Sequence, residues 1–430
     1  MERGHDHRDS PHGMIGWAEF RREPFRLLFP LGVCFGLLGI GHWLLFALNV
    51  APTSSGFYHA SIQAQAYMAC FIAGFLMTAV PRFAGAASAS TSELVGVLCF
   101  VFAQPILLSF GHWVGAELCF AGFLLALAGF AWRRFARRGA GVGPPPEFMW
   151  IFIAILHGLV GTLLLALGQV WPMPAWVLTT ARPMVQQGFL LGIVLGVGGF
   201  MAPRLLGRGF LPVSLGELHP DQARRIRRRR IAWHGLAGAG LLASFVVEGM
   251  GAIQAAYLLR AAVVTGELAW TTQWYLPPRV TALYVRLLWV SVWMVQLGFW
   301  GAGIWPAHRV GMLHLTFIGG FSLMTFAVGT MVVLSHAGAA ARLTRPLWVL
   351  RIVAAGVGLA VVGRVAADWL PSLYQRLIGI AAVGWLAAAV AWLTFVLPWV
   401  LQAVAPGTFE RLHDEAKRKL QDVTPAPQRR

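Results

Sequence analysis

The feature that most constrains this chain is a succession of apolar runs, each about as long as a bilayer crossing and separated by short segments rich in Pro, Gly and Arg. A helix needs about 20 apolar residues to span a hydrocarbon core about 30 Å thick, and inside lipid a helix satisfies its backbone groups internally. The runs predict twelve helices, at 27–50, 60–81, 93–110, 113–132, 149–171, 183–203, 231–248, 252–271, 284–303, 310–334, 346–366 and 375–402. Twelve crossings use about 240 residues, which leaves room in a chain of 430 for loops and tails but not for a large extramembrane domain. The fold class that follows is all-α: a polytopic membrane protein of about twelve transmembrane helices over 27–402, with tails at 1–26 and 403–430. The eighth run is the most polar, because Arg260 and Glu267 stand seven residues apart and so share a face.

Lys and Arg exceed Asp and Glu by 34 − 17 = 17, a balance that in a soluble chain points to nucleic acid. Here the basic residues gather on alternate connections. One side holds Arg21, Arg22 and Arg26; Arg82; Arg133, Arg134, Arg137 and Arg138; Arg224, Arg225 and Arg227 to Arg230; Arg279 and Arg286; Arg342 and Arg345; and Arg411, Lys417, Arg418 and Lys419. The other side has Arg182, Arg309 and Arg376. Cytoplasmic connections carry such an excess, so both termini are expected in the cytoplasm. The RRIRRRR run then reads as a loop that sets topology and meets anionic membrane lipid, with no nucleic-acid partner.

The polar N-terminal segment precedes an apolar run from Leu27 that is too long for a signal-peptide core and has no small-residue cleavage site after it. Its His5, Asp6, His7, Asp9 and His12 offer metal-binding groups, but the composition is that of a solvated tail. Cys34, Cys70, Cys99 and Cys119 lie within apolar runs without ligand spacing, and read as packing residues.

An internal repeat organises the helices. GFLMTAVPRFAG ends the second helix and GVGGFMAPRLLG the sixth, matching at Gly74/Gly196, Pro81/Pro203, Arg82/Arg204 and Gly85/Gly207 with one offset of 122 residues. Two units of four helices in the same orientation follow. A third unit is expected from VLSHAG at the end of the tenth helix, with two competing registers: Gly338 on Gly85, or MTFAV on MTAV.

Ionisable or ligating groups at membrane depth are costly and mark function by default, which directs attention to the histidines. His42, His59, His112, His308 and His314 fall toward the outer side; His157, His234 and His336 fall toward the cytoplasmic side. Most read as interhelical histidines satisfied by a carbonyl or hydroxyl. Two stand apart. His59 heads a stripe with Gln63 and Tyr67 at four-residue spacing, an inward face; His314 begins the equivalent helix of the third unit. Two neutral imidazoles on opposing rigid helices are what axial ligation of a haem iron requires. Gly319, Gly320 and Gly329 would admit either a neighbouring helix or a flat ring. On an ideal helix His314 and His336 are about 33 Å apart and about 40° around, so one helix would serve a site at each surface.

FYHASIQAQAYMACFIAGFLMTAVPRFAG (57–85), LLWV (287–290) and LHLTFIGGFSLMTFAVGTMVVLSHAG (313–338) resemble the NnrS family of membrane proteins, and the resemblance covers nearly all the helical chain. It implies a twelve-helix protein of the bacterial inner membrane that binds haem and copper and acts in nitric oxide tolerance, denitrification and nitrosative stress. Scavenging, sensing and haem-dependent nitric oxide reduction all stay open. Against the family's Trp-His-x-His-Glu, this chain has Tyr58, His59, Ala60, Ser61 and Ile62, keeping one histidine of two; Met331 and Val292 replace a basic residue and a histidine. The resemblance therefore implies haem at His59 and His314, His336 at a second site or as a helix cap, and leaves copper open.

A more distant likeness is to the large subunit of haem–copper oxidases, which holds a haem between its second and tenth helices. Here 183–193 and 240–250 contain no histidine where those enzymes place copper ligands, which argues against dioxygen reduction. The rival reading is a transporter or channel in which Arg260, Glu267, Glu117, Glu248 and the histidines line a proton or substrate path.

Overall fold

The computed structural model describes residues 15–136, 144–208 and 220–403. The tail histidines, Arg137, Arg138 and the C-terminal basic cluster lie outside the described residues, as do most of both tails.

Eleven described helices are long and apolar enough to cross a membrane: α1 (Phe25–Ala47), α2 (Gly56–Ala84), α3 (Thr91–Ser109), α4 (Trp113–Ala136), α5 (Pro146–Val170), α6 (Ala175–Leu205), α7 (Asp221–Gly249), α9 (Leu283–Ile304), α10 (Pro306–His336), α11 (Trp348–Trp369) and α12 (Pro371–Val400). Between α7 and α9 runs α8 (Ile253–Thr272), the eighth helix expected from sequence. Its two charges lower its hydropathy below that of a crossing, and both are fully buried against protein. The fold is an all-α polytopic membrane bundle.

Two boundaries differ from the sequence reading. The RRIRRRR run is helical and forms the opening turns of α7 instead of a loop, because Arg is a good helix former and Pro220 and Asp221 are favourable at a helix start. Helix α6 begins at Ala175 and continues through Pro183, eight residues ahead of the start that the sequence predicts at 183.

Successive helices pack as neighbours, and α12 packs on α1 to close the bundle. Arg26 at the start of α1 fastens that closure, donating from Nη1 to the carbonyls of Trp399, Val400 and Gln402 at 3.0–3.2 Å. Helix α2 is the most enclosed, with 89 % of its apolar window buried, against 33 % for α1, α3 and α11.

The three units are visible in the backbone. Helices α2, α6 and α10 each contain a π-helical segment: Ile62–Met68, Met184–Phe189 and Leu315–Ser322. Their starts are offset by 184 − 62 = 122 and 315 − 62 = 253 residues. Gly85, Gly207 and Gly338, which follow these helices at the same two offsets, all adopt positive φ, at 59°, 73° and 72°, a conformation that closes a helix and favours glycine. The third unit therefore takes the Gly338-on-Gly85 register. π segments are rare and concentrate at functional sites; three in one register set the inner faces of three helices alike.

Candidate functional site

Helix α1 prepares the site by its glycines. A Cβ at Gly36 would lie 2.5 Å from Trp385, and one at Gly39 would lie 2.7 Å from Gln63 Nε2. The bare backbone lets α1 approach α2 closely enough for its carbonyls to reach the predicted stripe. Gly39 O bonds His59 Nδ1 at 2.9 Å, and Gln63 Nε2 donates to Gly36 O at 3.1 Å. His59, Gln63 and Tyr67 do face inward together, along a cavity of about 420 Å³, within the range of about 300–1,000 Å³ typical of cofactor and ligand sites. All three π-bearing helices border it: α2 with His59 to Met68, α6 with Gln186, Gln187 and Leu190, and α10 with Val310 to Ser322. Trp43 of α1, Arg364 of α11, and Tyr374 and Trp385 of α12 complete the wall.

His59 and His314 meet across this cavity, their ring centres 6.4 Å apart and their planes 13° from parallel. His314 Nδ1 lies 2.6 Å from Val310 O. A carbonyl only accepts, so in both rings Nδ1 carries the proton and a neutral imidazole keeps its lone pair on Nε2. Neither Nε2 has a hydrogen-bond partner among the described residues. At 6.4 Å the rings do not touch. Two imidazoles bound through nitrogen to one metal atom, at about 2.0–2.1 Å each, have centres about 6.4 Å apart. The donor set, its fixed tautomers and its spacing thus fit one iron between the two rings. Backbone carbonyls on Nδ1 are the usual orienting partners of ligating histidines.

His336 stands elsewhere and does not line the cavity. Its Nδ1 is 2.8 Å from Glu23 Oε1, and Glu23 also bonds Arg26 Nε at 2.6 Å and Arg82 Nη2 at 3.1 Å. Burial would push the Glu23 carboxyl up, but His336 and then Arg26 outweigh it and hold it at about 2. His314 meets His59 of α2, whereas His336 meets Glu23 just ahead of α1, so one helix carries two histidines into separate surroundings. Gly319 and Gly320 face Met294 and Val295 of α9, and Gly329 faces Trp392, so these glycines serve helix packing and not a ring.

The other histidines have protein surroundings. His157 packs edge-on to Phe245 at 5.4 Å, His234 lies 2.7 Å from Glu267, and His308 stacks on Trp369 at 3.9 Å. His42 lies 6.1 Å from His59, ring centre to ring centre. The charged residues of the transporter reading divide into three clusters. Arg260 bonds Gln187 Oε1 at 2.6 Å and Glu248 Oε2 at 2.7 Å; Glu117 takes Gln65 at 2.9 Å and Thr162; Glu267 pairs with His234. Among the described residues no hydrogen bond joins one cluster to the next. The described residues also contain no group of three His, Cys, Asp or Glu side chains placed to hold a metal ion.

Sequence reading missed Arg364, Gln186 and Gln187 as cavity residues. For Arg364 the signal was present: an arginine inside an apolar run with an aspartate four residues on, a spacing that pairs on a helix. No curated protein matches this chain. The family model described as NnrS protein matches residues 19–403, which takes in all twelve helices and the whole cavity, and the chain belongs to the NnrS family.

Proposed function

We propose that this chain is an integral-membrane haem protein of the nitric oxide response, in which His59 and His314 would hold the iron near the outer face of a bacterial inner membrane, with both termini in the cytoplasm. The observation that carries the reading is the pair of facing imidazoles, 6.4 Å apart, each held by a backbone carbonyl through Nδ1. The chain's own part is preorganisation. The glycine face of α1 fixes His59, the first turn of α10 fixes His314, and Ile40, Leu313, Phe317 and Trp385 give the space between them an apolar wall. Haem, when bound, would supply an iron that can take a small diatomic ligand where one of the two imidazoles gives way. Nitric oxide suits such a site because it is neutral and enters lipid. Copper has no counterpart in the helix-two motif, where Ser61 and Ile62 stand buried in place of a second histidine and a glutamate.

The experiment is a reduced-minus-oxidised absorption spectrum of detergent-purified protein, with and without nitric oxide, and iron and copper analysis alongside. Wild type is expected to absorb near about 400 nm as a haem protein and to change with nitric oxide. His59→Ala and His314→Ala should each abolish or convert the low-spin signal. A colourless wild type from haem-replete cells, or unchanged spectra in both variants, refutes the assignment.

A further inference from the structure

The wall of the cavity carries a cation with donors to spare. Arg364 borders the same space as His59 and His314. Its side chain is 11 % exposed, and Nη1 donates to Asp368 Oδ1 at 2.5 Å. Among the described residues Arg364 makes no other hydrogen bond, although a guanidinium presents five N–H donors in a planar fork. No Asp or Glu lines the cavity. The remaining donors are open to the cavity that Arg364 lines, and a carboxylate is the acceptor that a guanidinium fork fits best.

The arginine is also held firmly in place. Asp368 Oδ2 accepts from the backbone N–H of Gly311 at 2.5 Å, and Asp368 O lies 3.1 Å from His308 Nδ1. His308 in turn stacks on Trp369 with the ring planes 14° apart. One carboxylate therefore fixes both the guanidinium of α11 and the first turn of α10, three residues ahead of His314.

We propose that Arg364 receives a carboxylate of the molecule seated between His59 and His314, so that this molecule lies with an acidic edge toward α11 and its apolar body toward Tyr67 and Trp385. Asp368 is the positioning residue that aims the fork. The proposal rests on the haem reading and deepens it, since an iron protoporphyrin carries two carboxylates on one edge and is apolar on the others. Arginine meets carboxylate through parallel N–H···O bonds, a geometry that lysine does not reproduce.

The test compares binding of ferric protoporphyrin IX and of its dimethyl ester to apoprotein purified from haem-depleted cells, followed by absorbance. Wild type is expected to bind the free diacid about tenfold or more tightly than the ester, as a charge-assisted bond of about 1.4 kcal/mol or more would give. In Arg364→Leu the preference should vanish while ester affinity is unchanged; in Arg364→Lys it should fall partway. Equal binding of diacid and ester by wild type overturns the proposal without reference to any variant's folding. A preference that survives in a folded Arg364→Leu variant overturns it too, and in both cases the haem reading stands. Binding of neither compound overturns both.

Discussion

Replacing Glu23 by glutamine removes the anion from a buried cluster of two arginines and a histidine. The carboxylate is nearly inaccessible, with 6 % side-chain exposure, and it contacts Arg26, Arg82 and His336 at 2.6–3.1 Å. Its pKa is lowered from 4.5 to about 2, so the folded state prefers the ionised form. The difference, at about 1.4 kcal/mol per pH unit, is worth about 3 kcal/mol, which agrees in size with the about 3–5 kcal/mol measured on breaking buried pairs. This stability is fully present above pH 4.5 and is lost as pH falls from 4.5 towards 2. Glu23→Gln should therefore cost about 3 kcal/mol at pH 7, and its deficit against wild type should shrink to about 2 kcal/mol at pH 3.5. Reversible unfolding in mixed micelles with increasing dodecyl sulfate, at both pH values, measures it. A deficit under 1 kcal/mol at pH 7, or one that does not change with pH, would refute the reasoning that this cluster clamps α1, α2 and α10 through one carboxylate.

His336→Ala leaves Glu23 with both guanidiniums, so it should cost less stability than Glu23→Gln and leave the absorption spectrum of the purified protein unaltered; a lost haem signal would place His336 in the cofactor site after all. Gly36→Ala puts a Cβ 2.5 Å from Trp385 and should cost about 1–3 kcal/mol in the same unfolding assay, with weaker retention of the bound chromophore. Glu248→Gln strands the fully buried Arg260 and should cost about 3–5 kcal/mol, whereas Glu248→Leu combined with Arg260→Met should fold more stably than the single variant.

What could be read from the sequence was whatever a residue declares through its own neighbours in the chain. Apolar runs and their length gave the helices, one shared offset gave the repeat, and four-residue spacing gave the inward stripe of His59, Gln63 and Tyr67. The π segments were not readable, because they are a choice of backbone hydrogen bonds that Ile62–Met68 or Leu315–Ser322 do not announce by composition. Gln187, Tyr257, Arg260 and Glu248 come from three helices, and their convergence at 2.6–3.3 Å depends on packing that local pattern does not encode. The Arg run before His234 reads as a loop when charge is weighed for topology alone, but arginine's helix propensity carries it into α7.

The three units also show how a repeated backbone device takes on different chemistry. Gln65 and Gln187 are related by 187 − 65 = 122 residues, and both lie within π segments. Each binds buried groups of its own unit: Gln65 donates to Glu117, and Gln187, which also borders the cavity, accepts from Arg260, which is paired with Glu248. At the corresponding offset of 253 the third unit has Ile318, which lines the cavity and carries no polar group. Its histidine is His314, immediately before its π segment, whereas His59 stands three residues ahead of its own. The facing imidazoles are therefore not a relic of the repeat's symmetry. They arise where two units depart from it in different ways, which is the pattern expected when a common scaffold is adapted to hold one asymmetric ligand at one place.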